Sequence, residues 1–423
     1  MNTSNHTKRW SMSNIIGKAC AAALLAAPPV QASNAEFQDF FFTVCESASG
    51  ALATRCAETD GGLGNLSGDS ESSLNPSQTL STSDAAVLAA QQRSQEIRER
   101  MRARREAQDD TSGAQTKVDI GPFSLLLNAR TANTESDRVV DIDAERGYEL
   151  DENTAEIGVD YRVNDRLVVG GWLQWGTSDL EFVRENAGNN FTPLEQAGTI
   201  DTNRFGFTTY LSAQLGKSAF IDASIGTTSL EADTTRGSVF QESNRVITQT
   251  NSVTAASTDG DELMVTLTTG WQTRLGSWNL TPFIGATHIE TRFDDYVERD
   301  RSNAGLALGV SLGDRSTTFG QVGFTLSNAI SMDGWVLLPQ LRAEYLAELN
   351  ADRSTSSVRF LNDTNQNRFG LQADDFDTDR LDLSFGVAGV FKNGWIPFFE
   401  YQLTTGADAL DRYQIAVGLR VEL

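Results

Sequence analysis

The stretch YQIAVGLRVEL, from Tyr413 to Leu423, alternates strictly: Tyr413, Ile415, Val417, Leu419, Val421 and Leu423 are apolar, and Gln414, Ala416, Gly418, Arg420 and Glu422 lie between them. A period of two describes a strand with one wholly apolar face, at a place where chains are usually frayed and polar. The same period returns upstream, at Ala155, Ile157, Val159, Tyr161 and Val163, at Leu167, Val169, Leu173 and Trp175, and at Phe205, Phe207, Leu211 and Leu215. It continues through Leu263, Val265, Leu267 and Trp271, through Phe283 and Ile289, and through Val322, Phe324 and Leu326. It ends with Leu337, Leu341 and Tyr345, with Leu381, Leu383, Phe385 and Val387, and with Phe399, Tyr401 and Leu403. The opposite face carries Glu156, Asp160, Arg162, Arg204, Asp222, Glu262, Arg274, Glu290, Arg292, Arg342, Glu344, Asp382, Glu400 and Arg420. Charges at that density would be ruinous in a dry sandwich core. A closed barrel with an apolar outside and a wet, charged lumen accommodates both faces. The pattern therefore predicts an all-β fold over 117–423: an antiparallel transmembrane outer-membrane barrel of about twelve strands.

The connections support the same architecture. Long links at 177–200, 232–260, 293–315 and 347–376 alternate with the tight turns VNDR, LGKS, LGSW, SMDGW and FKNGW. Long loops on one side and short turns on the other characterise such barrels, with the short turns in the periplasm. Trp278, Trp335 and Trp395 each follow a short turn directly, where amphipathic aromatics form a girdle at the membrane boundary. The final strand then closes the barrel and must be ordered to its end, because an unpaired edge in hydrocarbon is costly.

Upstream the period changes. The run DAAVLAAQQRSQEIRERMRARREAQ, from Asp84 to Gln108, contains neither Gly nor Pro, and Ser81 with Asp84 offers a capping pair. It predicts a linker helix within 82–116. Arg93, Arg98, Arg100, Arg102, Arg104 and Arg105 are spread all round this helix, which suits neither a membrane surface nor an apolar core. At ~1.5 Å per residue it is roughly 35 to 40 Å long, about the height of a barrel. Residues 33–81 are rich in Ser, Gly, Ala, Asp and Asn. The stretch GGLGNLSGDSESSLNPSQ reads as flexible linker, so this segment is expected to be a short low-complexity passenger rather than a globular head.

Residues 1–32 read as a signal peptide, with Lys8 and Arg9 ahead of a small apolar run and VQA at the cleavage site after Ala32. The chain is thus expected to be exported. Cys20 leaves with the signal, and Cys45 and Cys56, in CESASGALATRC, are expected to form a disulfide in an oxidising compartment. A formal charge of -23 and a pI near 4.5 exclude nucleic acid as a natural partner. Outer-membrane lipid and lipopolysaccharide are the expected surroundings.

No cofactor or metal site and no catalytic constellation is expected. GDS at Gly68 to Ser70 is similar to the start of an esterase block, but it lies in low-complexity sequence. His288 has Glu290 and Arg292 as same-face neighbours and reads as a lining residue, with no serine tied to it by spacing. DTNQNRFGLQAD, from Asp363 to Asp374, has calcium-loop spacing except that Arg368 occupies the glycine position. Acidic loop residues Asp141, Asp143, Glu145, Asp294, Asp295, Asp374, Asp375 and Asp377 would hold divalent cations only loosely.

From Ser81 to Leu423 the chain resembles the translocator unit of autotransporters, the type V secretion family. The resemblance is carried by GWVLLPQLRAEYLAEL, similar to that family's Leu-x-Pro-x-Leu-Arg-Ala strand, and by RYQIAVGLRVEL beside PFFEYQL. It implies a linker helix inside the pore, where the arginines above would meet the acidic lining. It also implies that the terminal strand, Tyr413, Ile415, Val417, Leu419, Val421 and Leu423, is an assembly signal read by the barrel-assembly machinery with periplasmic chaperones, although Leu423 stands where an aromatic is usual. Self-cleavage between adjacent asparagines, known in some relatives, does not carry over: the helix has no Asn, and Asn189-Asn190 lies in a loop. The expected function is a translocator that exports and anchors its own short amino-terminal segment at the cell surface. The alternatives are a structural or adhesive barrel acting through acidic loops and, more remotely, a barrel-embedded hydrolase. The oligomeric state is left unassigned.

Overall fold

The computed structural model describes residues 34–108, 122–137, 146–187, 190–244, 248–351, 353–373, 379–407 and 410–422. Twelve long strands form the barrel: β1 Phe123–Ser136, β2 Tyr148–Asn164, β3 Leu167–Phe182, β4 Gly198–Leu215, β5 Ala219–Gln241, β6 Gln249–Trp271, β7 Trp278–Phe293, β8 Arg315–Ser327, β9 Trp335–Ala351, β10 Arg380–Phe391, β11 Trp395–Ala407 and β12 Leu410–Glu422. Each pairs antiparallel with the next. The register from Ser124↔Glu422 to Glu135↔Asp411 then joins β12 to β1 and closes the barrel. No helix among the described residues is long and apolar enough to cross a membrane; the strands have the length and the apolar outer band for it.

Alternation fixes the faces. In β2, Val159 and Tyr161 point outward while Glu156 and Asp160 are buried inside. In β12 the odd residues from Tyr413 to Val421 face out, and Arg412, Gln414 and Arg420 are buried inside. Trp278, Trp335 and Trp395 begin β7, β9 and β11 at the short-turn end, and Trp335 stacks on Phe391 with centroids 5.6 Å apart.

Two sequence expectations about the barrel need correction. β7 is inverted relative to its expected facing: Phe283 and Ile289 point into the lumen, and His288, Glu290 and Arg292 lie on the outer face. Both faces of this strand carry apolar residues, Leu280 and Ile284 on one and Phe283 and Ile289 on the other, so alternation alone cannot choose between them. The link at 232–260, expected to be a loop, is mostly strand, with β5 and β6 paired from Ala219↔Trp271 up to Gln241↔Gln249.

A larger correction concerns 33–81. Instead of flexible linker, the described part holds α1 Asn34–Cys45, α2 Gly50–Ala57 and α3 Gly68–Leu74, followed by α4 Ser81–Gln108. Phe37, Phe40, Phe41 and Val44 make one face of α1, at the i, i+3, i+4, i+7 spacing of an amphipathic helix. Cys45 and Cys56 are joined by a disulfide between α1 and α2. The face of α1 is covered by parts of the long connections, where Phe369–Gln372, Thr355–Phe360, Leu308–Leu312 and Tyr296–Val297 form a separate four-stranded sheet. Few large residues suffice for a core here because the other half comes from hundreds of residues downstream.

The signal peptide, residues 109–116 of the expected linker helix, Asp141, Asp143, Glu145, Asn189, Asp374, Asp375, Asp377, Leu423 and the Arg104 side chain lie outside the described residues.

Candidate functional site: the helix in the lumen

Helix α4 runs through the barrel. Near its Ser81 end, Asp84 is paired with Arg315 and accepts a hydrogen bond from Ser354 Oγ at 2.8 Å, both residues lying at the long-connection end of the barrel. Near its Gln108 end, the Arg105 Nη1 donates to Ser212 Oγ at 2.8 Å and to Asp222 Oδ2 at 2.6 Å, near the short turn between β4 and β5. The helix axis is thus directed from the long loops to the short turns.

Every described arginine of α4 has a partner, and together these partners surround the helix. Arg93 pairs with Glu262 on β6, and Arg98 Nη2 meets Glu344 Oε1 on β9 at 2.6 Å. Arg100 Nε donates to Asp160 Oδ1 on β2 at 3.0 Å and lies over the rings of Trp172 and Tyr210. Arg102 Nη2 donates to Gln340 Oε1 at 2.5 Å and pairs with Glu99 on its own helix. The all-round distribution that disqualified α4 as an ordinary core helix is what a helix enclosed by charged walls requires. Gly158 leaves room for the Arg100 seat, since a Cβ there would meet the guanidinium in its present position.

Traffic also runs the other way. Glu96 pairs with Arg130 and Glu99 with Arg342, so acids on the helix meet arginines on the wall. The sequence reading gave Asp84 only a capping role, and it did not foresee Glu96 and Glu99 of the helix, or Arg130, Glu152, Arg315 and Arg412 of the wall, as ion-pair partners in the lumen. Their signal was available for β1, β2 and β12, since all three wall residues there fall on the even, lumenal positions. Glu152 accepts Arg204 Nη2 at 3.0 Å and also pairs with Arg412, which knits β2, β4 and β12 beside the helix.

Among the lining residues proposed from sequence, Glu156, Asp160, Asp222, Arg342 and Glu344 are buried in the lumen. Glu156 accepts Asn128 Nδ2 at 2.9 Å rather than a helix arginine. Arg162 and Glu400 sit on lumenal positions of their strands and are only partly buried. Glu290 and Arg292 are on the outside, whereas Arg274, in the short strand Thr273–Leu275, keeps the lumenal register opposite Asn279 and is exposed at the short-turn end. The lumen is not wholly wet either: Val87, Ala90, Ile97 and Met101 of α4 form an apolar cluster with Met264, Ile289 and Phe319. This is why β7 turns Ile289 inward.

The other candidate chemistry has ordinary partners. Ser70 of GDS is fully buried, donates to the Val239 carbonyl at 3.3 Å and accepts from Gln241 N at 2.8 Å. His288 lies 2.9 Å from Thr318 Oγ1 and 3.4 Å from Glu290 Oε1. Asp363, first in the calcium-like stretch, accepts the backbone N–H groups of Asn365 and Asn367 at 3.0 and 2.7 Å. Among the described residues no group of three or more His, Cys, Asp or Glu is arranged to hold a metal ion.

A closed, even-stranded antiparallel barrel with an apolar outer band and a charged helix through its lumen defines an outer-membrane β-barrel with an occupied pore. The autotransporter β-domain family matches residues 129–402, and the chain belongs to that family. It is a translocator barrel of the bacterial outer membrane. Among solved structures it is similar to the translocator domain of the autotransporter NalP from Neisseria meningitidis, at 14% identity and TM-score 0.56 over 82% of this chain and 99% of that one. The β-domain of the Bordetella autotransporter BrkA is also similar, at 14% identity and TM-score 0.46 over 72% of this chain and 100% of that one. The transport unit of AIDA-I from Escherichia coli gives 9% identity and TM-score 0.47 over 74% of this chain and 93% of that one. No curated protein sequence matches the chain.

Proposed function

We propose that this barrel exports its own amino-terminal segment and anchors it at the cell surface through α4. The observation that carries the reading is the direction of α4, from Asp84 beside Arg315 and Ser354 to Arg105 beside Asp222. With the short turns in the periplasm, that direction supports reading α1 to α3 as an outer-side segment. Assembly through the barrel-assembly machinery and periplasmic chaperones belongs to the same reading, supported by the outward apolar row from Tyr413 to Val421 on the closing strand.

The test is an epitope inserted between Gly61 and Gly62, in an exposed turn. Antibody should reach it on intact cells. Labelling only after the outer membrane is permeabilised would refute export.

A second reading, a surface barrel acting through its acidic loops, draws on the outer face of the strands above the apolar band. There the registers set Asp151 opposite Asp179, Asp179 opposite Asp201, and Asp201 opposite Asp233. Like charges directly opposed weaken a sheet, so the row is a cost without evident structural return.

A further inference from the structure

We infer that residues 34–80 are not cargo but a lid, and that the extracellular sheet of the barrel is its receptor. This rests on the export reading above, since the lid must first reach the outside. The receptor face is built by two connections that follow β7 and β9 and contributes Tyr296, Leu308, Val310, Val358, Phe360 and Phe369, all buried. Without α1 these side chains would form a contiguous apolar patch facing water, larger than isolated surface apolar residues and a liability on any exposed protein. What covers them is the amino-terminal segment of the same chain.

Recognition is specific in two ways. Rings interlock across the interface: Phe37 meets Phe369 edge-on at 5.6 Å, Phe40 stacks on Phe369 at 5.2 Å and on Phe360 at 6.0 Å, and Phe41 meets Phe360 edge-on at 5.6 Å. Offset and edge-to-face contacts of this kind add to the area term. Beside them, the link between α1 and α2 docks as a short antiparallel bridge, Ala48↔Asp363. Ser49 N donates to the Asn362 carbonyl at 2.8 Å, and Thr364 N and Oγ1 donate to the Ser47 carbonyl at 3.1 and 2.9 Å. The Cys45–Cys56 disulfide spans this link, so it holds the bridging residues in a closed hairpin before they meet the sheet. The far side of the lid is fixed to β5 as well, where Ser73 Oγ accepts from Val239 N at 2.9 Å and Ser70 engages Val239 and Gln241.

The lid therefore covers the outer mouth above α4. The segment is recaptured by the loops it has passed, and the loops gain their fold from it. Its ligand class is narrow: a disulfide-closed helical hairpin presenting an i, i+3, i+4 phenylalanine face.

The experiment uses the full chain with a protease site, flanked by short Gly/Ser spacers, inserted between Gly61 and Gly62. Protease is added to intact cells, and the fragment that ends at the cut is followed in cells and medium. The cut part of a lid, α1 and α2, stays with the cells although no covalent bond now holds it to the barrel. In the same chain carrying Phe37→Asp and Phe41→Asp, with barrel folding checked by heat-dependent mobility on gels, release should rise at least ~10-fold, the factor given by ~1.4 kcal/mol of lost affinity. Prompt release of the unmodified fragment would overturn the lid while leaving export intact. Cutting only in permeabilised cells would overturn both. Retention unaffected by the two substitutions would overturn the receptor face.

Discussion

Arg93 and Glu262 give the sharpest test of how α4 is held. Their side chains are 2% and 1% exposed, so neither charge has bulk water to fall back on. Replacing Arg93 by Leu leaves the Glu262 carboxylate buried without the guanidinium, a loss of about 3 to 5 kcal/mol. Replacing Glu262 by Leu strands the guanidinium at a similar cost. Replacing both by Leu removes the two desolvation penalties together and fills the space beside Met264 and Ile289 with hydrocarbon, so the double variant should lie within about 1 to 2 kcal/mol of the parent and well above either single variant. The assay is urea unfolding of the barrel refolded into lipid vesicles, followed by tryptophan fluorescence, with Trp172 buried beside the helix as an internal reporter. If Arg93→Leu alone falls within about 1 kcal/mol of the parent, the pair is solvated and α4 is not enclosed as described.

Two further outcomes follow from the same geometry. Deleting residues 34–108 should open the pore, raising single-channel conductance, and should increase cation preference because Asp160, Asp222, Glu262 and Glu344 lose their helix arginines; the selectivity change should be larger in dilute electrolyte, since the Debye length is about 8 Å at physiological salt, and unchanged conductance would mean that the helix does not obstruct the pore. Val417→Arg, on the lipid face, should cost up to ~2 to 4 kcal/mol depending on depth and lower the yield of folded barrel, whereas Gln414→Ala on the lumenal face should be mild; equal yields would show the faces of β12 to be reversed.

The sequence by itself determined the barrel and most of its facing. A period of two is a local property, and a strand such as β12, apolar on one face only, has one stable orientation in a membrane. The short turns, the tryptophans after them and the charged positions of β2 and β9 were legible for the same reason. Tertiary structure decided what the local pattern left degenerate or silent. β7 has apolar residues on both faces, and the contact of Ile289 with the narrow stripe Val87, Ala90, Ile97 and Met101 of α4 sets which one turns inward. The arginines of α4 could be seen to need polar surroundings, but the pairing of Arg93 with Glu262 and of Arg98 with Glu344 spans strands far apart in sequence and depends on the angular position of each side chain in a closed cylinder. Residues 33–81 looked too poor in apolar groups to fold because half of their core is supplied by Phe360, Phe369 and their neighbours, and a core shared across some three hundred residues of chain leaves no mark in either half alone.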